Sequence, residues 1–152
     1  MSEPIPKIKV INISQDLDEY LECVEDLMGS STVTDDAVLY ERVSEQSKYY
    51  EPHYRPPNYI TFVCLLRKKI VATASILYEY KLRYTQPKAY IEDVAVHRNY
   101  RGKGYGKKIV EHCIEHTKQR DCYKVVLTCN DDLMDFYKSM GFKQDVNFMV
   151  LD

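Results

Sequence analysis

The stretch Arg101-Gly102-Lys103-Gly104-Tyr105-Gly106-Lys107-Lys108 stands between a β-branched segment, Ala89 to His97, and an amphipathic one, Lys107 to Arg120. Glycines at alternate positions permit positive φ and leave no side chains in the way, so backbone N–H groups can turn toward an anion. A helix opening at this point adds the positive end of its dipole. Arg101, Lys103, Lys107 and Lys108 bring cationic charge to the same short run. The spacing predicts a strand, a pyrophosphate-binding turn and a helix. It is not a Walker A loop, because G-x-x-x-x-G-K-[ST] is not satisfied. Nor is it a Rossmann fingerprint, since the glycines run G-x-G-x-G. The bland alternative is a surface turn carrying solvated lysines.

Upstream, Tyr59 to Leu66 and Ile70 to Tyr80 read as a hairpin turning at Arg67-Lys68-Lys69, and Ala89 to His97 follows as the next strand. Lys7 to Ile13 alternates polar and apolar, the pattern of a short half-buried strand. Ser14 is the expected N-cap of a helix with Asp16, Asp18 and Glu19 in its first turn and an apolar stripe from Leu17 to Met28. Gly29-Ser30-Ser31 would end it. Thr34-Asp35-Asp36 would cap a second helix with Ala37, Val38, Tyr40 and Val43 as its stripe. Tyr49 to Tyr59, rich in Pro and Tyr, reads as a loop long enough to wall a site.

Downstream of the glycine turn, Ile109, Val110, Cys113, Ile114 and Thr117 recur at helical spacing. Tyr123 to Cys129 has the continuous apolar centre of a strand buried on both faces. Asp131 to Met140 is expected as a short helix stopped by Gly141, and Phe142 to Leu151 as a last strand. The order predicts an α/β (α+β) domain spanning residues 1–152, with no internal boundary or repeat.

The chain has 152 residues, ordinary for one domain, and a formal net charge of -2. That balance argues against a nucleic-acid partner, which calls for a strong basic excess, but leaves room for one local basic pocket. The longest near-continuous apolar run, Ile60 to Leu66, is far short of a membrane span, and the N-terminal residues carry no signal-peptide pattern. Five scattered cysteines with no C-x-x-C pair read as reduced thiols, which predicts a cytoplasmic protein. His112 and His116 have metal-ligand spacing but no H-E-x-x-H pattern and no evident third ligand, so a solvated helix face and no metal are expected.

Arg101-x-x-Gly104-x-Gly106 resembles the Q/R-x-x-G-x-G/A signature of the GNAT superfamily of acetyltransferases, and Asn130, Tyr137 and Gly141-Phe142 resemble its N…Y…GF ending. Within it, Val71-Ala72-Thr73-Ala74-Ser75, Ile91-Glu92-Asp93-Val94-Ala95-Val96, Cys122-Tyr123-Lys124-Val125 and Phe136-Tyr137-Lys138 look like the eukaryotic glucosamine-6-phosphate N-acetyltransferases, a likeness running from about Leu27 to Phe142. The resemblance implies a mixed, mostly antiparallel sheet flanked by about four helices. It implies a homodimer that uses acetyl-CoA as cosubstrate and no metal. The reaction it implies is direct acetyl transfer to the 2-amine of glucosamine 6-phosphate, on the way to UDP-N-acetylglucosamine.

Roles follow from the same resemblance. Val94, Ala95 and Val96 would pair with the pantetheine arm. Arg101, Gly102, Lys103, Gly104, Tyr105, Gly106 and Lys107 would hold the pyrophosphate, and Asn130, Tyr137 and Lys138 complete the cofactor set. Tyr137 would also be catalytic, protonating the departing thiolate. A phenol with a reference pKa of ~10 stays protonated at neutral pH, and a thiol's ~8.5 is close enough for the transfer. Glu92 and Asp93, implied to bind the sugar and its amine, are neighbours on a strand and would face opposite sides unless a bulge shifts the register. Lys81, Arg83, Tyr84, Tyr123, Lys124 and Thr128 fill the remaining substrate positions, with Tyr123 and Lys124 reaching across the dimer interface.

Three positions depart from the family pattern. Thr128 stands where relatives often carry a carboxylate near the amine, Met28 where they have Thr, and no terminal Arg is present for the phosphate. The amine must then lose its proton to Glu92, to Asp93, through water to a backbone carbonyl, or in solution. The same departures leave two other functions open: acetylation of a different amine, such as a protein N-terminus or a small amine, and a non-catalytic acyl-CoA-binding module.

Overall fold

The computed structural model describes residues 4–11, 13–24 and 58–151. The helix expected after Thr34, the loop from Tyr49 to Pro57, and Met28 lie outside the described residues. Five strands form one sheet in the order β1 (Lys7–Val10), β2 (Tyr59–Leu66), β3 (Lys69–Glu79), β4 (Lys88–Val96) and β5 (Lys124–Val126). The first four pair antiparallel with their neighbours, and β5 joins β4 parallel. The described helices are α1 (Ile13–Val24), α2 (Tyr105–Gln119) and the short α3 (Met134–Lys138). This is the mixed, mostly antiparallel sheet expected, with three helices among the described residues.

The pattern of β3 explains why it sits at the centre. Every residue from Ile70 to Ile76 is buried, as a strand covered on both faces requires. On one face Phe62, Cys64, Ala72, Ala74 and Ile76 pack under Ile109, Val110 and Cys113 of α2. The two alanines leave room for the helix to lie close. On the other, Val63, Ile70, Ile11 and Cys23 of α1 form a smaller cluster. Buried hydroxyls on β2 and β3 are satisfied within the sheet: Thr61 bonds Ser75 (2.8 Å), and Thr73 donates to the Phe62 carbonyl (2.9 Å).

Three local expectations need correction. β1 ends at Val10 and the helix opens at Ile13, so Ser14 lies inside α1 rather than capping it. Asp16 in the first turn reaches back to Lys9 Nζ (2.7 Å), closing the strand-to-helix corner earlier than the alternation suggests. Phe142 to Leu151 forms no strand: it joins no ladder among the described residues and leaves Val146, Phe148, Met149 and Leu151 exposed. His112 and His116 are half-buried rather than solvated. Both rings meet the edge of Phe62 (centroids 4.7 and 5.1 Å), and the Tyr78 hydroxyl lies 2.5 Å from His116 Nδ1.

Candidate active site

β4 is paired on both sides only over its first half. Its parallel ladder with β5 has rungs at Lys88–Lys124, Ala89–Val125 and Tyr90–Val126, and then stops. The strand expected over Tyr123 to Cys129 is thereby reduced to Lys124–Val126, because the chain beyond Val126 leaves the ladder. From Ile91 to Val96, β4 keeps β3 on one side and has no ladder with β5 on the other, a slot in the sheet where an extended ligand could pair with the strand. Glu92 and Thr128 each lie two residues past the last rung, on the two lips of that slot. Thr128, Cys129 and Asn130 are exposed along the second lip.

A bulge occurs where the slot begins. Ser75 pairs Glu92 but Thr73 pairs Ala95, so β4 carries one extra residue, and Asp93 takes a φ of +51°. The two acidic side chains do not split between a buried and an open face: both are exposed. Partial loss of water around Glu92, and then the charge of Asp93, raise the Glu92 carboxyl above its ordinary range.

β4 ends at Val96, His97 caps a 3-10 turn over Arg98–Tyr100, and the glycine run follows. Arg101 Nε donates to the Val96 carbonyl (3.1 Å). Gly102 and Gly104 sit at φ +73° and +84°, a region where a side chain would strain the backbone. Gly104 caps α2 and offers no side-chain acceptor, so the first-turn N–H groups are left for an external one. Lys103, Lys107 and Lys108 are exposed around them, Lys103 resting over the Tyr100 ring (5.4 Å) and Lys107 3.9 Å from Glu111. Gly106 has a different reason to be glycine. A Cβ there would come 3.2 Å from Val96 Cγ2 and 3.5 Å from Phe136 Cζ, so the cradle, the end of β4 and α3 meet at this point.

That meeting brings Tyr137 to the site. It is buried, set edge-on to Phe136 (4.9 Å) and Phe142 (6.0 Å), and both burial and the nearby Cys129 push its phenol upward. Its helix ends as the glycine at 141 predicts. Gly141 N–H donates to the Lys138 carbonyl and Phe142 N–H to that of Tyr137, a Schellman ending with Gly141 at φ +94°. Asn130 precedes the 3-10 turn Asp131–Leu133 that leads into α3, and Lys138 is exposed at the end of that helix.

The remaining sequence candidates gather at the other end of β4. Tyr84 stacks on Tyr123 (4.4 Å, 21°), with the Arg83 guanidinium over Tyr84 (5.1 Å). Tyr123 N–H holds the Pro87 carbonyl (3.1 Å). Two cations of the group are engaged within the chain: Lys81 lies 3.4 Å from Glu79, and Lys124 pairs with Asp145 (2.5 Å) of the C-terminal segment. Glu92 and Asp93 on β4, and Thr128 and Asn130 after β5, thus follow the point where the two strands part, the glycine run and the helix of Tyr137 meet the end of β4 through Gly106, and Arg83, Tyr84, Tyr123 and Lys124 lie with Lys81 toward the paired end. Sequence reasoning missed Phe136 and His97. The signal for His97 was a side-chain acceptor standing just before a turn. No group of metal-ligating side chains occurs among the described residues.

A profile of the acetyltransferase (GNAT) family matches residues 22–142. A glucosamine 6-phosphate N-acetyltransferase of Arabidopsis thaliana is 34% identical over 140 residues, covering 89% of this chain and 88% of the relative. One from Dictyostelium discoideum is 30% identical, covering 82% and 76%. The crystal structure of the Arabidopsis enzyme superposes with a TM-score of 0.76 at 31% identity, covering 97% of this chain and 98% of that one. With the slotted sheet, the glycine cradle and the family match over the same elements, the chain belongs to the acetyltransferase (GNAT) family.

Proposed function

We propose that this chain transfers the acetyl group of acetyl-CoA to the 2-amine of glucosamine 6-phosphate, giving N-acetylglucosamine 6-phosphate for UDP-N-acetylglucosamine synthesis. The observation that carries acetyl transfer is the slot in the sheet running into an uncapped helix N-terminus. The sugar acceptor rests on the likeness to the Arabidopsis enzyme over most of both chains.

The fit to acetyl-CoA can be argued from the residues. Gly102 and Gly104 are free to hold left-handed backbone, and the α2 N-terminus with Arg101, Lys103 and Lys107 suits a pyrophosphate. Val94, Ala95 and Val96, without a β5 partner, offer strand hydrogen bonds to a pantetheine amide. Asn130 and Lys138 would complete the cofactor contacts. Acetyl-CoA supplies the activated acetyl group. Backbone N–H groups along the Ile91–Val96 edge can polarise its carbonyl. Tyr137 holds its proton firmly at neutral pH and can deliver it to the departing sulfur. Glu92 can take the amine's proton: partial loss of water and the charge of Asp93 raise its carboxyl and make it a stronger base. Thr128 offers a hydroxyl and no charge, which leaves the amine's proton to the opposite lip.

Arg83, Lys81, Lys124 and the stacked Tyr84 and Tyr123 suit the sugar phosphate. We further propose a cytoplasmic homodimer in which the exposed apolar run from Val146 to Leu151 meets a second copy, with Tyr123 and Lys124 near the seam. All five cysteines are free thiols, in keeping with a reducing compartment. Thr128 favours one alternative, a different amine acceptor. Thiol release from acetyl-CoA over a panel of amines separates the two. The expected result is turnover with glucosamine 6-phosphate, and turnover of a peptide N-terminus without it would overturn the reading.

A further inference from the structure

We propose that His97 is the positioning residue of the glycine cradle: its Nδ1 accepts the Asn99 N–H and so sets the turn leading into the cradle, while Glu22 of α1 holds the ring in the one tautomer able to do so. The identity of the cradle's ligand rests on the acetyl-CoA reading above. The imidazole is 3% exposed, so its nitrogens must find partners within the protein. The Asn99 N–H lies 3.2 Å from Nδ1 and can only donate, which requires a lone pair there. Nε2 lies 3.0 Å from Glu22 Oε1 and therefore carries the proton. The bond from His97, then that from Lys69 (3.0 Å), hold the Glu22 carboxyl below its usual range, so it stays an acceptor.

The main chain of His97 is tied as firmly. Its N–H donates to the Val71 carbonyl in β3 (2.9 Å), and its carbonyl accepts from Tyr100 (2.8 Å). The ring meets Tyr100 edge-on (5.3 Å), and Tyr100 in turn meets Tyr105 at the first residue of α2 (6.3 Å). One residue thus joins α1 and β3 to the turn that delivers Arg101 and the glycines. It acts on the cradle through that turn.

Substitution can separate the two ring nitrogens. In His97→Asn the short amide keeps a cap acceptor for Asn99 but does not reach Glu22. In His97→Gln the longer amide reaches Glu22 and gives up the cap. Calorimetry with coenzyme A should find His97→Asn within about twofold of the parent. His97→Gln should be weakened roughly tenfold, the size of a lost helix-type cap. At saturating acetyl-CoA, kcat should hold within about twofold in both, with the loss confined to the KM for acetyl-CoA. Equal coenzyme A affinity in the two variants, or a loss carried by kcat alone, would overturn the proposal. If His97→Gln does not fold, Glu22→Ala against Glu22→Gln decides. Gln still accepts from Nε2 and should bind as the parent does, Ala should bind more weakly, and unchanged affinity in Ala overturns. Amide exchange from Asn99 to Lys103 in the unliganded protein gives a readout without ligand, faster in His97→Gln than in His97→Asn. Should the parent not bind coenzyme A, the acetyl-CoA reading fails and this exchange comparison still decides the role of His97.

Discussion

At its C-terminal end β4 runs into a cradle whose parts are all held within one chain: Arg101 on the Val96 carbonyl, Gly106 wedged against Val96 and Phe136, and His97 tied to α1. At its N-terminal end the same strand lies beside an open cluster. There Arg83, Tyr84 and Tyr123 stack at the surface, Lys124 is held by Asp145, and the chain that follows is exposed through Leu151. On the reading proposed above, the difference teaches that the cosubstrate half of the site would need one copy of the chain, whereas the acceptor half would be finished by a second.

The largest expected effect breaks the self-contained half. Gly104→Glu puts a side chain at φ +84° and a negative charge where pyrophosphate would sit. Calorimetry should then detect no coenzyme A binding, and unchanged affinity would remove the cradle from that role. Next comes the point where the halves meet. Tyr137→Phe should lower kcat by roughly 10²–10⁴ if the phenol is the acid, with coenzyme A affinity within about twofold. A kcat close to the parent's would leave Tyr137 as a packing residue. The smallest effect tests the open half. Phe148→Asp together with Met149→Asp should weaken self-association by about tenfold or more, since a buried Phe is worth about 1.5–3 kcal/mol. Sedimentation would report this, alongside a raised KM for glucosamine 6-phosphate and an unchanged one for acetyl-CoA. A variant that associates as before would separate the tail from the seam.

The parts of the fold legible in the sequence are those decided locally. β2 has the expected bounds, and β3 and β4 fall within one residue of theirs, because β-branched runs between turn residues need little from the rest of the chain. The cradle was legible for the same reason: positive φ at Gly102 and Gly104 is a local demand. What failed depended on distant partners. β5 is short because β4 and β5 part, a fact of three-dimensional divergence that the apolar run from Val125 to Leu127 does not encode. Phe142 to Leu151 has strand composition but joins no ladder among the described residues. His112 and His116 turn inward because Phe62 and Tyr78 lie beneath α2, which helical spacing alone does not reveal. The glycine turn and the helix that carries Tyr137 could be read from the sequence, whereas the bulge at Asp93 and the tie at His97 depend on contacts between distant segments.

The left-handed residue at the bulge constrains what may replace each acid. Glu92 sits on ordinary strand backbone, so the backbone there places no special demand on its side chain. Asp93, at φ +51°, occupies a conformation that a non-glycine residue holds at a cost of order 1 kcal/mol, least for Asp and Asn. Glycine would relax the backbone there and delete the carboxylate in the same step. A screen for thermal tolerance alone would therefore drift toward glycine at 93, and, with Asp93 in the proposed role, one for turnover would hold Asp. The bulge would then mark a place where durability and activity ask for different amino acids.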